Sequence, residues 1–325
     1  MCPHAYYLTY VLGHSSPSGQ KAEQGTIVHK VMECLAAAKK CHQDQTNTFV
    51  DDAFGEMTVD YEYMYTDEYI EELIERSIDH YTKSSLHHWQ PRHFKECRKW
   101  SWDAIEYCNG AFDPRKRNIV EPEGGFDFEI DEDWSNYEYE LPSGETLSGK
   151  LSMKGTIDLI TEVRPGVYEV IDWKTGRRLD WATGKEKTYK KLTTDPQLRI
   201  YHYALSKIYP DIEQFIMTIF FIKDGGPYTL SFTKDDMEDT KKMIKKRFQE
   251  IKRTKVPSLK KSWKCTRICH FGKNEHPSGE INPKTGNPHT ICSYVANKIR
   301  KRGMNVSLVE DINPNHHFDY YEAPG

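Results

Sequence analysis

Residues 155–176 read GTIDLITEVRPGVYEVIDWKTG, two runs rich in Ile, Val, Thr and Tyr on either side of Arg164-Pro165-Gly166. β-Branched and aromatic residues favour extended chain, and a short connection with a glycine free to take positive φ joins two such runs as a hairpin. With Arg164-Pro165-Gly166 as a three-residue loop, Val163 faces Val167, and counting back along both strands sets Asp158 opposite Asp172. Side chains alternate along a strand, so Lys174 joins Asp172 on that face. Like charges directly opposite across a ladder destabilise it, so two facing carboxylates call for a proton or a cation between them. A divalent metal meets that need.

Hard oxygen ligands at a strand end suit Mg²⁺ or Mn²⁺, which keep several waters and take further ligands from substrate phosphate. Such a metal lowers the pKa of a bound water and offsets charge on the phosphate. An ammonium two residues from a ligand orients that water or stabilises the pentacovalent transition state, a role that fits Lys174. Asp-x-Lys alone more often marks an ion-paired, solvent-facing strand. The facing Asp158 turns the reading toward a metal-dependent nuclease site.

In these motifs the chain resembles the PD-(D/E)XK nuclease superfamily, and within it the RecB-like exonuclease branch that includes nucleases of CRISPR adaptation modules. Three further segments carry the likeness, in the family's order. QGTIVHKVMECL (24–35) is similar to the branch's helix with a metal-binding His, here His29. EPEGGFDFEI (121–130) resembles the strand that opens the nuclease core, with Glu121 at the acidic position. DPQLRIYHYAL (195–205) resembles the Gln-x-x-x-Tyr helix, giving Gln197 and Tyr201. The likeness spans residues 1 to about 295. It implies a restriction-endonuclease-like α/β fold: a mixed central sheet flanked by helices, with an N-terminal helical part and a C-terminal Cys-bearing part. It also implies hydrolysis of DNA at free, often single-stranded, ends, in recombination, repair or DNA processing. His29, Asp158 and Asp172 would ligate Mg²⁺ or Mn²⁺, Lys174 would assist the attacking water, and Gln197 with Tyr201 would position the strand. Two alternatives stay open: a non-catalytic DNA-binding scaffold of a recombination or spacer-acquisition complex, and a structure-selective endonuclease on the same fold.

The matched residues also make sense singly. His29 lies four residues from both Gly25 and Glu33, so the three share one helical face, and Gly25 would let that helix approach the sheet closely. Asp195 and Pro196 read as N-cap and first helical position, which puts Gln197 in a first turn whose N–H groups and dipole favour a DNA phosphate. Tyr201, one turn on, is placed either to stack or hydrogen-bond near the scissile strand or to pack in the core.

The formal net charge of the 325 residues is only −4, so contact with nucleic acid requires a local gathering of cations. Residues 241–267 supply one: Lys241, Lys242, Lys245, Lys246, Arg247, Lys252 and Arg253, then Lys255, Lys260, Lys261, Lys264 and Arg267, with Glu250 as the lone acid. This is a phosphate-contacting surface or a solvated helix face. MCPHAYYLTYVLG lacks a charged start and a long apolar core, and the longest apolar run, IMTIFFI (216–222), is of buried-strand length. A soluble, intracellular protein without membrane association is expected, and in a reducing cytosol its eight cysteines are free thiols or metal ligands.

Residues 1–115 read as an N-terminal helical part, with a helix over 25–40 and another within 51–81. Strands opening at Ile119, Phe126, Leu147, Val167, Phe215 and Tyr228 make 116–233 the nuclease core, with Asp224-Gly225-Gly226 as a hairpin turn. Residues 234–325 hold a helix to Arg253, with Ile244, Phe248 and Ile251 as core anchors, then a Cys-rich segment and polar tail; the three parts form one intertwined domain.

Iron-sulfur members of the branch place one Cys in a Cys-Pro context before the His helix and three after the core. Cys2-Pro3 resembles the first element, and Cys265, Cys269 and Cys292 follow the basic helix, implying a [4Fe-4S] cluster. The gap from Cys269 to Cys292 exceeds the family's, and its Pro277, Gly279, Pro283, Gly286 and Pro288 would let an insertion loop out. His270, His276 and His289 keep a mixed Cys/His zinc site open. Cys34, Cys41, Cys97 and Cys108 read as small buried hydrophobes.

Overall fold

In the computed structural model, which describes residues 2–140, 144–179, 184–254 and 256–313, the central hairpin belongs to a five-stranded sheet. Its strands are β1 (Ile119–Glu129), β2 (Ser152–Arg164), β3 (Val167–Lys174), β4 (Gln214–Phe221) and β5 (Gly226–Thr233), hydrogen-bonded in that order. β3 and β4 run parallel and the other neighbours antiparallel. The longer helices among the described residues are α1 (Gln20–Asp44), α2 (Asp67–Lys83), α3 (Pro91–Gly110), α4 (Pro196–Ile208), α5 (Met237–Lys252) and α6 (Ile291–Arg302). A mixed sheet with helices on both faces is the restriction-endonuclease-like arrangement. Among the described residues no helix is long and apolar enough to cross a membrane.

The chain divides into two compact units. One comprises Gly19–Ile130 and Ser152–Ile244, the other Met1–Ser18, Asp131–Leu151 and Lys245–Gly325. The first holds the sheet. β3 is buried along most of its length, as a strand covered on both faces must be. On one face Leu159, Ile171, Trp173 and Phe220 pack with Val31 and Leu35 of α1, Ile70 and Ile74 of α2, and Ala104 and Ile105 of α3. On the other, Ile160, Val170, Met217 and Ile219 meet Leu198, Tyr201 and Leu205 of α4. Full burial of each such aliphatic chain is worth about 1.5–3 kcal/mol. Gly25 earns its place in α1: a Cβ there would lie 2.8 Å from Thr175 Oγ1, so the bare backbone lets the helix close on the end of β3.

The hairpin tip differs from the expected three-residue loop. Arg164 pairs with Val167, leaving Pro165-Gly166 as the connection with Gly166 at φ 76°, and a register shift at Val163 absorbs the extra residue. Beyond the bulge Leu159 pairs with Ile171, so the register that sets Asp158 against Asp172 survives. Four other differences have local causes. Ile119 and Phe126 open one continuous strand, because the Glu-Pro-Glu-Gly-Gly stretch is accommodated within the ladder. A small hairpin, Thr48–Asp51 with Gly55–Thr58, precedes α2. Ile251 is 67% exposed while Ile244 and Phe248 are buried, so the apolar anchoring of α5 stops short of its last turn. Cys108 is exposed, at φ 47° where α3 kinks, whereas Cys34, Cys41 and Cys97 are buried. The turn through Asp224, Gly225 and Gly226 forms, with both glycines at positive φ.

The second unit has its own apolar cluster, in which Tyr7, Leu8 and Leu12 pack with Phe271 and with Val295 and Ile299 of α6. Residues 270–291 fold back on themselves through bridges Glu275–Thr290 and Ile281–Pro288, so the long gap returns the chain to Cys292.

Candidate active site

β2 and β3 stop pairing after Leu159 and Ile171, and the two acids sit where they part. Asp158 Oδ2 accepts the Trp173 backbone N–H at 2.7 Å, replacing the ladder bond lost there. Asp172 is 1% exposed. Its Oδ2 lies 2.6 Å from Lys174 Nζ, while its Oδ1 accepts from Gln197 Nε2 at 2.9 Å. From α1, His29 Nδ1 comes within 3.4 Å of Asp158 Oδ2. His29, Asp158, Asp172 and Lys174 are thus brought together from one helix and two strands.

Their electrostatics push the two acids apart. Burial raises the Asp172 carboxyl, Lys174 opposes that rise, and the neighbouring Asp158 adds to it, leaving Asp172 above the ordinary range. Burial acts on Asp158 too, but the hydrogen bond and charge of His29, then Lys174 and the Trp173 N–H, hold it below. His29 is the reciprocal case: burial would lower it, and Asp158 keeps it raised. A buried carboxyl held against its own charge beside an ionised one is a site that favours an added cation. Two carboxylates and an imidazole at one strand end fit Mg²⁺ or Mn²⁺.

Gln197 and Tyr201 do not face outward. Gln197 Nε2 also donates to the Tyr201 hydroxyl at 2.7 Å, and that hydroxyl donates to Thr156 O at 3.0 Å. Burial first, then Asp172, raises the Tyr201 phenol, which stays protonated. A buried acid needs donors, and these two side chains orient Asp172. The Asp195 cap forms as expected, its Oδ1 accepting the Gln197 N–H at 3.1 Å, so this N–H is already engaged.

Glu121 is turned away, accepting from the Tyr209 hydroxyl at 3.1 Å. Glu123 takes the place expected of it. Its neighbours Pro122 and Gly124 pair with Leu159 and Ile157, so it stands opposite Asp158, at φ 49°. The Glu33 carboxyl is pushed up to about 8, by burial and then by its hydrogen bond with Glu123, with Lys30 opposing the rise. Glu33 was legible as part of the His29 face; the positive φ that turns Glu123 toward it was not. A third acidic group, Glu33 with Asp51 and Asp52, surrounds Lys30 Nζ at 2.6, 3.0 and 2.5 Å. Lys30 is 4% exposed, and its ammonium already supplies that cluster's cation.

The PD-(D/E)XK nuclease superfamily model matches residues 1–273. The chain belongs to this superfamily. A PD-(D/E)XK nuclease takes its name from a proline-acid pair and an acid-x-Lys strand, and here the acid-x-Lys is Asp172-Trp173-Lys174. None of the curated proteins matches the chain. Among solved structures, "Crystal structure of SSO0001" is similar at 18% identity, covering 65% of this chain and 75% of that one, with a TM-score of 0.26.

Within this PD-(D/E)XK nuclease, the basic residues of α5 are in part paired. Lys241, Lys242 and Arg247 lie 4.0, 3.7 and 2.7 Å from Glu238, Asp239 and Glu250. Lys252 donates to Asn136 O at 2.7 Å. Lys245, Lys246 and Arg253 are exposed. Lys255 falls outside the described residues.

In the second unit the Cys292 thiol is pushed up to about 12, by burial and then by Cys2, Cys269 and Cys265, so each of these three lies within electrostatic reach of Cys292. His4 is buried, and its Nε2 lies 3.2 Å from Cys292 O, which ties the Cys2-Pro3 turn to α6. The three histidines of the insertion have other contacts: His270 with Asn274, His276 stacked 3.7 Å from the Tyr294 ring, and His289 with Ser293.

Proposed function

We propose that this protein is a metal-dependent DNA exonuclease that hydrolyses phosphodiester bonds at DNA ends. The observation that carries the proposal is the Asp158–Asp172 pair where β2 and β3 part, with Lys174 Nζ 2.6 Å from Asp172 and His29 3.4 Å from Asp158. Mg²⁺ or Mn²⁺ held by Asp158, Asp172 and His29 would supply a water of lowered pKa and offset charge on the phosphate. Lys174 holds its ammonium where it can direct that water and stabilise charge on the phosphoryl oxygens. Gln197 and Tyr201 fix the Asp172 rotamer, and the Trp173 N–H fixes Asp158, so both acids are set before substrate arrives. The action on ends, and a role in recombination, repair or DNA processing, rest on the likeness to the RecB-type branch.

Cys2, Cys265, Cys269 and Cys292 fit a [4Fe-4S] cluster as a donor set: four thiols, three of them within electrostatic reach of Cys292, with the insertion's imidazoles engaged elsewhere. Its binding energy would close the N-terminal turn onto α6 and count directly toward folding.

Incubation of purified protein with end-labelled linear DNA, single-stranded and duplex, and with covalently closed circles, in Mg²⁺, Mn²⁺ or EDTA, tests the proposal. Metal-dependent loss of linear DNA with circles spared is expected. Efficient nicking of circles would make it an endonuclease instead, and absence of cleavage in either metal would leave a DNA-binding scaffold.

A further inference from the structure

Because β3 and β4 are parallel and in register from Val167–Gln214 to Lys174–Phe221, the chain leaves both strands at one edge, the edge that carries Lys174. Ile222 N donates to Lys174 O at 3.0 Å, and Arg178 N to Asp224 Oδ2 at 2.8 Å, so the segments 175–178 and 222–224 are fastened side by side. α1 approaches the same edge, since Gly25 lies against Thr175, and Lys21 precedes Gly25 by one turn. Three cations meet there from three elements: Lys21, Arg177 and Lys223, all exposed. The Lys223 ammonium is fixed 3.7 Å from the centre of the buried Trp100 ring. Burial, then Lys21 and Arg177, lower its pKa, with Glu96 opposing them. Glu96 is itself engaged by the Gln24 amide at 2.9 Å, and of the two acids that line the hollow beside Lys223, Asp103 and Glu106, Asp103 is paired with Lys99 at 2.6 Å. Like charges gathered so are unfavourable unless an anion joins them.

We propose that Lys21, Arg177 and Lys223 form the binding site for consecutive phosphates of the DNA strand next to the scissile bond, a substrate track along the β3–β4 edge distinct from the basic helix α5. This rests on the nuclease reading for the identity of the strand. Held by side chains from three elements, the track fixes where the backbone runs and leaves its sequence unread. Arg177, three residues beyond Lys174, and Lys223, one beyond the residue bonded to it, tie strand binding to the catalytic lysine.

The test is fluorescence anisotropy of a labelled 20-mer oligothymidylate in EDTA, where binding is read without cleavage, across a KCl series. The triple variant Lys21→Ala/Arg177→Ala/Lys223→Ala is expected to bind at least tenfold more weakly. Its slope of log K against log salt should be shallower by about 2, as three phosphate contacts on a single strand give. The charge-keeping variant Lys21→Arg/Arg177→Lys/Lys223→Arg should retain the wild-type slope, which a purely structural role would not require. Lys245→Ala/Lys246→Ala serves as the α5 control. Wild-type affinity and slope in the triple variant, loss confined to the α5 control, or no oligonucleotide binding by the wild type would each overturn the assignment. Slope loss in the triple variant of a protein that cleaves no DNA in Mg²⁺ or Mn²⁺ would sink the nuclease reading and leave the track standing.

Discussion

Asp158 Oδ2 accepts the backbone N–H of Trp173 at 2.7 Å. A site acid therefore also closes the sheet where two strands part, while Asp172 is bonded to the side chains of Gln197 and Lys174. The two acids should respond differently to removal. Asp158→Ala leaves a partly buried N–H without its acceptor, a loss of about 1–3 kcal/mol, whereas Asp172→Asn keeps the shape and relieves a buried acid. In thermal melts at pH 7 in EDTA, Asp158→Ala is expected to melt several degrees below wild type and Asp172→Asn within a degree or two of it. Equal melting of wild type and Asp158→Ala would show that the Trp173 bond is not structural.

His29 reaches Asp158 from α1 at 3.4 Å. His29→Ala should lower cleavage about 100-fold, the scale of losing one charge-stabilising group, with partial recovery as Mn²⁺ is raised. Activity titrated against Mn²⁺ concentration checks this; a deficit that no metal concentration relieves would assign His29 to a role other than ligation.

Much of the grouping of these side chains is legible in the sequence. The alternation Asp-x-Lys and the register counted back from the loop placed Asp158, Asp172 and Lys174 together, because a miscounted loop residue was offset by a bulge at Val163. Gly25 and the Asp195 cap were readable because each meets a purely local demand. Glu123, rather than Glu121, comes opposite Asp158 because a register shift between Ile119 and Glu121 and a positive φ at Glu123 decide which acid is presented, and neither has a spacing signature. The helix that carries Gln197 and Tyr201 is legible from its Asp195 cap, but the inward turn of the two side chains is not. Burial of Asp172 draws them inward, and burial is a tertiary property. Lys21, Arg177 and Lys223 are scattered along the chain and meet only because two parallel strands end at one edge.

His202, 1% exposed, packs on Phe215 and Phe232, and its Nδ1 has no hydrogen-bond partner among the described residues. Burial lowers its pKa below the ordinary value. A depressed pKa means that the folded state excludes the proton. The stability this gives is present above the unfolded value of about 6.5 and is lost as pH falls from there through the folded pKa. Melting temperature should therefore drop more steeply below about pH 6.5 in wild type than in His202→Phe. Parallel curves for the two proteins would remove His202 as the source.

The cysteine site makes a separate claim. Anaerobically purified protein is expected to be brown, with bound iron and sulfide, and Cys269→Ser should bleach it and lower its melting temperature more than Cys97→Ser does. Cys97 is fully buried and has no part in the quartet, so it controls for packing alone. Colourless protein with stoichiometric zinc would assign the thiols to a zinc site, and metal-free protein of unchanged stability would leave them simply packed.

The most direct measurement is single-turnover cleavage of 5′-labelled linear DNA in Mn²⁺ by wild type, Asp172→Asn and Lys174→Ala, each first shown to melt as a folded protein and to bind the DNA in EDTA. A metal held between Asp158 and Asp172, with Lys174 acting on the attacking water, requires both variants to bind DNA and to lose cleavage by about two orders of magnitude or more, since metal activation and charge stabilisation each contribute about 3 kcal/mol or more. Cleavage by Asp172→Asn within tenfold of wild type would contradict a catalytic metal at this pair.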